Sequence, residues 1–144
     1  MTLNFYRQQK TILLYFIGLF FLLLVSGNSS AQQTIDRKEL LTALIGKKTV
    51  QKVDIREINF KPSQKTGYHQ HPCPVVGYIV SGSVLFQSGK DSSIVLKAGD
   101  AFYEPANVTT FHFDNPSDTE SLKFIAFYLL NNEKELIKML SQKN

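Results

Sequence analysis

Apolar positions along the chain change their period several times, and each change marks a part. Residues 11–25 form a largely apolar run of 15 residues behind Arg7 and Lys10. Over residues 35–45, Leu40, Leu41, Leu44 and Ile45 recur at helical spacing with Asp36 placed to cap the start, which predicts a short helix. After Gly46 the period falls to two: Val53 and Ile55 alternate with Lys52, Asp54 and Arg56, the pattern of an outer strand. Short strands are predicted at 78–80, 84–87, 94–96 and 102–104. They are separated by Ser81-Gly82, Ser88-Gly89-Lys90-Asp91 and Ala98-Gly99-Asp100. Residues 108–113 and 122–130 complete the β set. Leu136, Ile137, Met139 and Leu140 then return to helical spacing and predict a C-terminal helix over one part of the β structure. Regular short strands with glycine turns imply an all-β sandwich or barrel.

The leading run reads as a signal peptide covering residues 1–31, with Ser29-Ser30-Ala31 as the small residues of a cleavage site and Gln32 as the new N-terminus. A retained anchor needs about 20 apolar residues, more than this run supplies. The expected location is therefore periplasmic or secreted. Residues 32–144 make a single domain with no room for a second. The full chain carries +4, but without Arg7 and Lys10 it keeps 14 basic and 12 acidic side chains, a net +2, so nothing points to nucleic acid. Cys73 is the only cysteine and has no intramolecular disulfide partner.

Chemistry concentrates in Gly67-Tyr68-His69-Gln70-His71-Pro72, which leads through Cys73-Pro74-Val75-Val76 into Gly77-Tyr78-Ile79-Val80-Ser81-Gly82. Imidazoles at i and i+2 of an extended segment point to the same side and can converge on one metal ion. In a loop bounded by glycine and proline the same two residues could instead simply be solvated.

This stretch resembles the first motif of the cupins, small double-stranded β-helix (jelly-roll) barrels, in which a glycine precedes His-x-His and an apolar strand and glycine turn follow. Gly99-Asp100-Ala101-Phe102-Tyr103-Glu104-Pro105 resembles the glycine, spacer and proline of the second motif. The resemblance implies the barrel, a metal pocket and a small-molecule ligand or substrate. The family's glutamate ligand falls at Val75 here, and its second-motif histidine at Thr110, so two of the four usual ligands are in place.

His112, two residues past Thr110 and on the same face of a regular strand, is the candidate third ligand; otherwise it packs, unmetallated, in the barrel. Glu104 is a further candidate, as fourth ligand or general base, unless it lies exposed at the mouth. Cys73 offers a soft ligand or a small buried hydrophobe. The expected metal set is thus His69, His71 and His112. Three neutral imidazoles would leave the full +2 charge on a zinc, iron, nickel or copper ion and disfavour manganese.

No Gly-x-Ser-x-Gly elbow or phosphate loop is present. If the protein is an enzyme, the resemblance implies a metal-dependent oxidoreductase of dioxygenase type acting on a small organic molecule. The alternative is a non-catalytic small-molecule-binding cupin module with a degraded metal site. Expected partners are that small molecule and a second copy of the chain, with a membrane involved only through the leading segment before its removal.

Overall fold

A computed structural model describes residues 34–141, so the expected signal peptide lies outside the described residues. The chain divides into Met1–Arg37 and Lys38–Asn144. Of the first unit, residues 34–37 are described, as exposed chain without regular structure.

Among the described residues the second unit has nine strands: β1 Lys52–Phe60, β2 His69–Gln70, β3 Val75–Ser81, β4 Ser83–Ser88, β5 Ile94–Lys97, β6 Ala101–Glu104, β7 Thr110–Asp114, β8 Leu122–Leu130 and β9 Lys138–Met139. They form two antiparallel sheets, ordered β1-β8-β3-β6 and β5-β4-β7-β2-β9. This is the all-β double-stranded arrangement that the strand pattern predicts.

β8 is the clearest case of sequence dictating structure. Leu122, Phe124, Ala126, Tyr128 and Leu130 alternate into the interior while the residues between them are half-buried on the other face. The strand is held on both sides, by β1 along its whole length and by β3. Its inward side chains meet an aromatic cluster. Phe113 lies 4.9 Å from Phe102 and 4.8 Å from Phe124, and Phe60 lies 5.5 Å from Phe124, in edge-on or tilted arrangements that suit ring quadrupoles.

Both predicted helices are absent, each for a physical reason. Residues 38–46 are irregular chain with Leu40, Leu41 and Leu44 exposed. A short amphipathic helix gains most of its stability from an apolar surface to lie on, and here the stripe is left in solvent. In the C-terminal stretch, a helix would bond the Leu140 N–H to the Leu136 carbonyl. Instead the Leu140 N–H donates to the Tyr68 carbonyl (2.8 Å), and the Leu136 carbonyl accepts from His71 Nδ1 (2.6 Å). Both partners of the helical bond are taken by the histidine segment, and β9 pairs with β2.

Gly77 shows how closely the layers approach. A Cβ there would stand 2.1 Å from the Phe102 ring and 2.7 Å from the Ile125 carbonyl oxygen, and the backbone atom cannot yield as a side-chain tip can. Gly77→Ala is therefore expected to lower unfolding free energy by about 1–3 kcal/mol, the usual cost of overpacking a core. Urea unfolding of the variant beside the wild type measures it; equal midpoints would mean that β3 and β6 separate freely.

Candidate metal centre

Four side chains meet inside the barrel: two from β2 and the residue after it, one from β6 and one from β7. His69 lies in β2 and His71 just beyond it, both almost fully buried, their rings 5.1 Å apart. Glu104 ends β6 and is 4% exposed. Thr110 opens β7, directly opposite His69 in the ladder, and is fully buried.

The backbone fixes both imidazoles. His69 Nδ1 donates to the Gly67 carbonyl at 2.8 Å, and Gly67 takes φ +84°, a left-handed conformation that glycine adopts without strain. His71 Nδ1 donates to the Leu136 carbonyl. With each Nδ1 committed, both Nε2 atoms face the carboxylate: His69 Nε2 is 3.3 Å from Glu104 Oε1 and His71 Nε2 is 3.4 Å from Oε2. Thr110 Oγ1 donates to Oε1 at 2.7 Å. One ligand atom from each of His69, His71 and Glu104 lies within 4.8 Å of the other two. A carbonyl behind each imidazole, fixing tautomer and ring direction, is the support that metal-ligating histidines characteristically have. The triad can therefore hold a metal.

Electrostatics follow from this packing. Burial opposes charge on Glu104, but the hydrogen bonds from His69 and His71 outweigh it and hold the carboxyl at about 2. Burial likewise opposes charge on His71, yet the hydrogen bond and charge of Glu104 raise its pKa above the ordinary value. Tyr128, edge-on to His71 with ring centroids 5.6 Å apart, is pushed up to about 12 by burial and by the charge on Glu104.

The structure draws in Glu104 and leaves out His112. β7 carries one extra residue at this point: Thr110 and His112 pair with the adjacent Ser88 and Gln87 of β4. A bulge of this kind reverses which way the chain faces. Thr110 consequently points inward. His112 is 39% exposed in its side chain, and its Nδ1 donates to Asp114 Oδ2 at 2.8 Å. In place of the expected three imidazoles the structure brings together two imidazoles and a carboxylate, a set that would leave a divalent ion a net charge of +1 and add an oxygen donor. Glu104 also stands directly opposite Val75 in the β3/β6 ladder. The acid is present, one strand over from where the resemblance places it. Cys73 is buried and its thiol pKa is raised by burial and by the Glu133 charge, so it serves as a small hydrophobe.

Beside the triad is a pocket of about 130 Å³ whose walls include Ile58, Phe60, Phe124 and Tyr128.

A model of the Cupin domain family matches residues 56–128. No curated protein matches the chain. Among solved structures, DMSP lyases align with TM-score 0.55 and 18% identity over 63% of this chain and 45% of theirs. A cupin-like protein from Thermotoga maritima gives 0.52 and 23%, over 61% of this chain and 64% of its own. An oxalate oxidase in complex with the substrate analogue glycolate gives 0.51 and 24%, over 61% and 46%. This chain spans less than two thirds of the length of each, and at these identities the likeness is one of fold.

The two pKa shifts set a pH window for the metal-free protein. Glu104, lowered from 4.5 to about 2, adds stability that is complete above pH 4.5 and is lost as pH falls toward 2. His71, raised above 6.5, adds stability that is complete below pH 6.5 and is lost as pH climbs through its folded pKa. Melting temperature in chelator is therefore expected to peak between pH 4.5 and 6.5. Glu104→Gln should flatten both flanks, and a wild-type protein most stable at pH 9 would contradict the pairing.

Proposed function

The chain belongs to the cupin family, and on that premise we propose that it is an exported protein whose barrel holds a divalent transition metal on His69, His71 and Glu104. We infer a metal-dependent oxidoreductase, of dioxygenase type, acting on a small organic molecule. The observation that carries this reading is the pair of Nδ1–carbonyl bonds, which turn both Nε2 atoms toward one carboxylate. Two histidines and one carboxylate with open positions form the donor set suited to non-haem iron.

Each residue has a part that follows from its surroundings. Gly67 and Leu136 lock the imidazoles in the tautomer that leaves Nε2 free. Thr110 holds one carboxylate oxygen and so fixes the plane of Glu104. A carboxyl held at about 2 is a weak proton acceptor near neutral pH, so Glu104 serves as an anchor and not as a general base. Phe60, Phe113 and Phe124 line the pocket and limit water at the reacting centre. A bound metal of this class would contribute Lewis acidity and, if redox-active, electron exchange with oxygen.

The non-catalytic binding module retains one specific support: Thr110 already donates to Glu104, and His71, whose pKa is raised beside it, would pair with the carboxylate as an imidazolium without an ion. Export rests on the charged flank, apolar run and small residues of 1–31.

Untagged protein is expected to carry about one equivalent of a divalent transition metal per chain by mass spectrometry. His71→Ala and Glu104→Gln should each cut that content more than about ten-fold, and metal should raise melting temperature in the wild type alone, because it binds the native state. Metal-free wild type, with melting unchanged by chelator, would favour the binding module.

A further inference from the structure

We propose that the chain pairs with a second copy of itself through two apolar surfaces, the arm at residues 38–46 of each copy lying across the outer face of the other's β1-β8-β3-β6 sheet. That face is on the far side of the sheet from Glu104, so the pairing does not depend on the metal reading.

The parity of β1 is the first observation. Ile58 and Phe60 face the barrel, opposite the buried Phe124 and Leu122 of β8. Lys52, Asp54 and Arg56 share that parity, so Val53 and Ile55 turn away from the barrel and are 48% and 59% exposed. The apolar residues in this half of the strand therefore stand on the outer face, and alternation of that sense marks a face that is covered. The apolar row crosses the whole sheet. Ile55 pairs with Phe127, Phe127 with Val76 and Val76 with Tyr103, while Val53 pairs with Leu129 beside them. The outer face of an antiparallel sheet is ordinarily polar, and an apolar stripe of this extent marks contact with another molecule.

The arm is the second observation. Leu40-Leu41-Thr42-Ala43-Leu44-Ile45-Gly46 carries no charge, yet all four of its large apolar side chains are exposed, Leu44 by 92%. Its base is fixed: the Gln51 N–H donates to the Leu130 carbonyl at 2.8 Å, and Lys48 pairs with Glu133 at 2.8 Å. Each copy thus has an apolar element without a surface and an apolar surface without a cover. Two copies related by a two-fold axis satisfy both at once, and the pairing closes on itself. The area fits as well. An aliphatic side chain takes roughly 60–120 Å² out of water when buried, so two arms and the faces beneath them would bury on the order of 1,000–2,000 Å². A stable interface buries roughly 1,200–2,000 Å².

Protein recovered from its native host, its N-terminus fixed by mass measurement, is expected to sediment as a dimer at about 10 µM. Leu44→Asp and Ile55→Asp each place one charge per copy in the interface. Each should weaken dimerisation more than about ten-fold and leave the circular dichroism spectrum unchanged, because both side chains are exposed within a single copy. Cys73 is buried, which leaves introduced thiols as the reactive ones. Copies carrying Leu44→Cys mixed with copies carrying Ile55→Cys should give a dimer joined through those two positions by a short bis-maleimide. Protein that is monomeric at the stated concentration overturns the inference, and so does a dimer that both aspartate variants leave intact. A chain carrying both cysteines whose link forms within one monomer places the arm on its own sheet and overturns it too.

Discussion

A carboxylate buried in a barrel of phenylalanines has to be compensated, and the compensation of Glu104 organises the polar cluster of this fold. Its partners come from β2, the residue just after it, and β7, which belong to one sheet or its margin, whereas Glu104 itself ends β6 of the other. The cluster therefore ties the two sheets together. Removing any one partner would leave a buried group short of hydrogen bonds, which is why such networks specify a single arrangement more than they add to stability.

That requirement also explains the C-terminal strand. His71 can direct Nε2 at Glu104 only if Nδ1 has an acceptor, and the Leu136 carbonyl is the one supplied. A helix would have consumed that carbonyl internally. The extended path of residues 131–140 places β9 against β2 and brings Ile137 to the pocket wall, so one backbone choice settles histidine tautomer, sheet edge and pocket shape together.

The position of the acid has a similar economy. Val75 and Glu104 face each other across β3 and β6, and side chains opposite one another in a ladder point to the same side of the sheet. A carboxylate moved from one position to its cross-strand neighbour still enters the same interior space. The donor set is thereby two imidazoles and a carboxylate, with Thr110 occupying the remaining corner as a hydrogen-bond donor.

Most of the strands, their turns and the inward pairing of His69 with His71 were legible in the sequence, because period-two alternation, glycine punctuation and i/i+2 geometry are local properties of an extended chain. β8 is the plainest case, its alternation visible residue by residue. The role of Glu104 was half legible: it shares parity with Phe102, which left it either inward or exposed at the mouth, and its station opposite Val75 depends on strand pairing between distant segments. Leu40, Leu41 and Leu44, like Leu136 to Leu140, have helical spacing that says nothing of whether a surface or a competing hydrogen-bond partner awaits them. His112 was misplaced by a single bulge in β7, since one inserted residue reverses facing and leaves no mark in the hydrophobic pattern. The sequence by itself determined most of the segments that extend, β9 excepted, and the convergence of His69 and His71, to which it added His112. Only the tertiary structure decided which carboxylate they meet, because register, bulges and backbone acceptors are set by contacts between strands far apart in the chain.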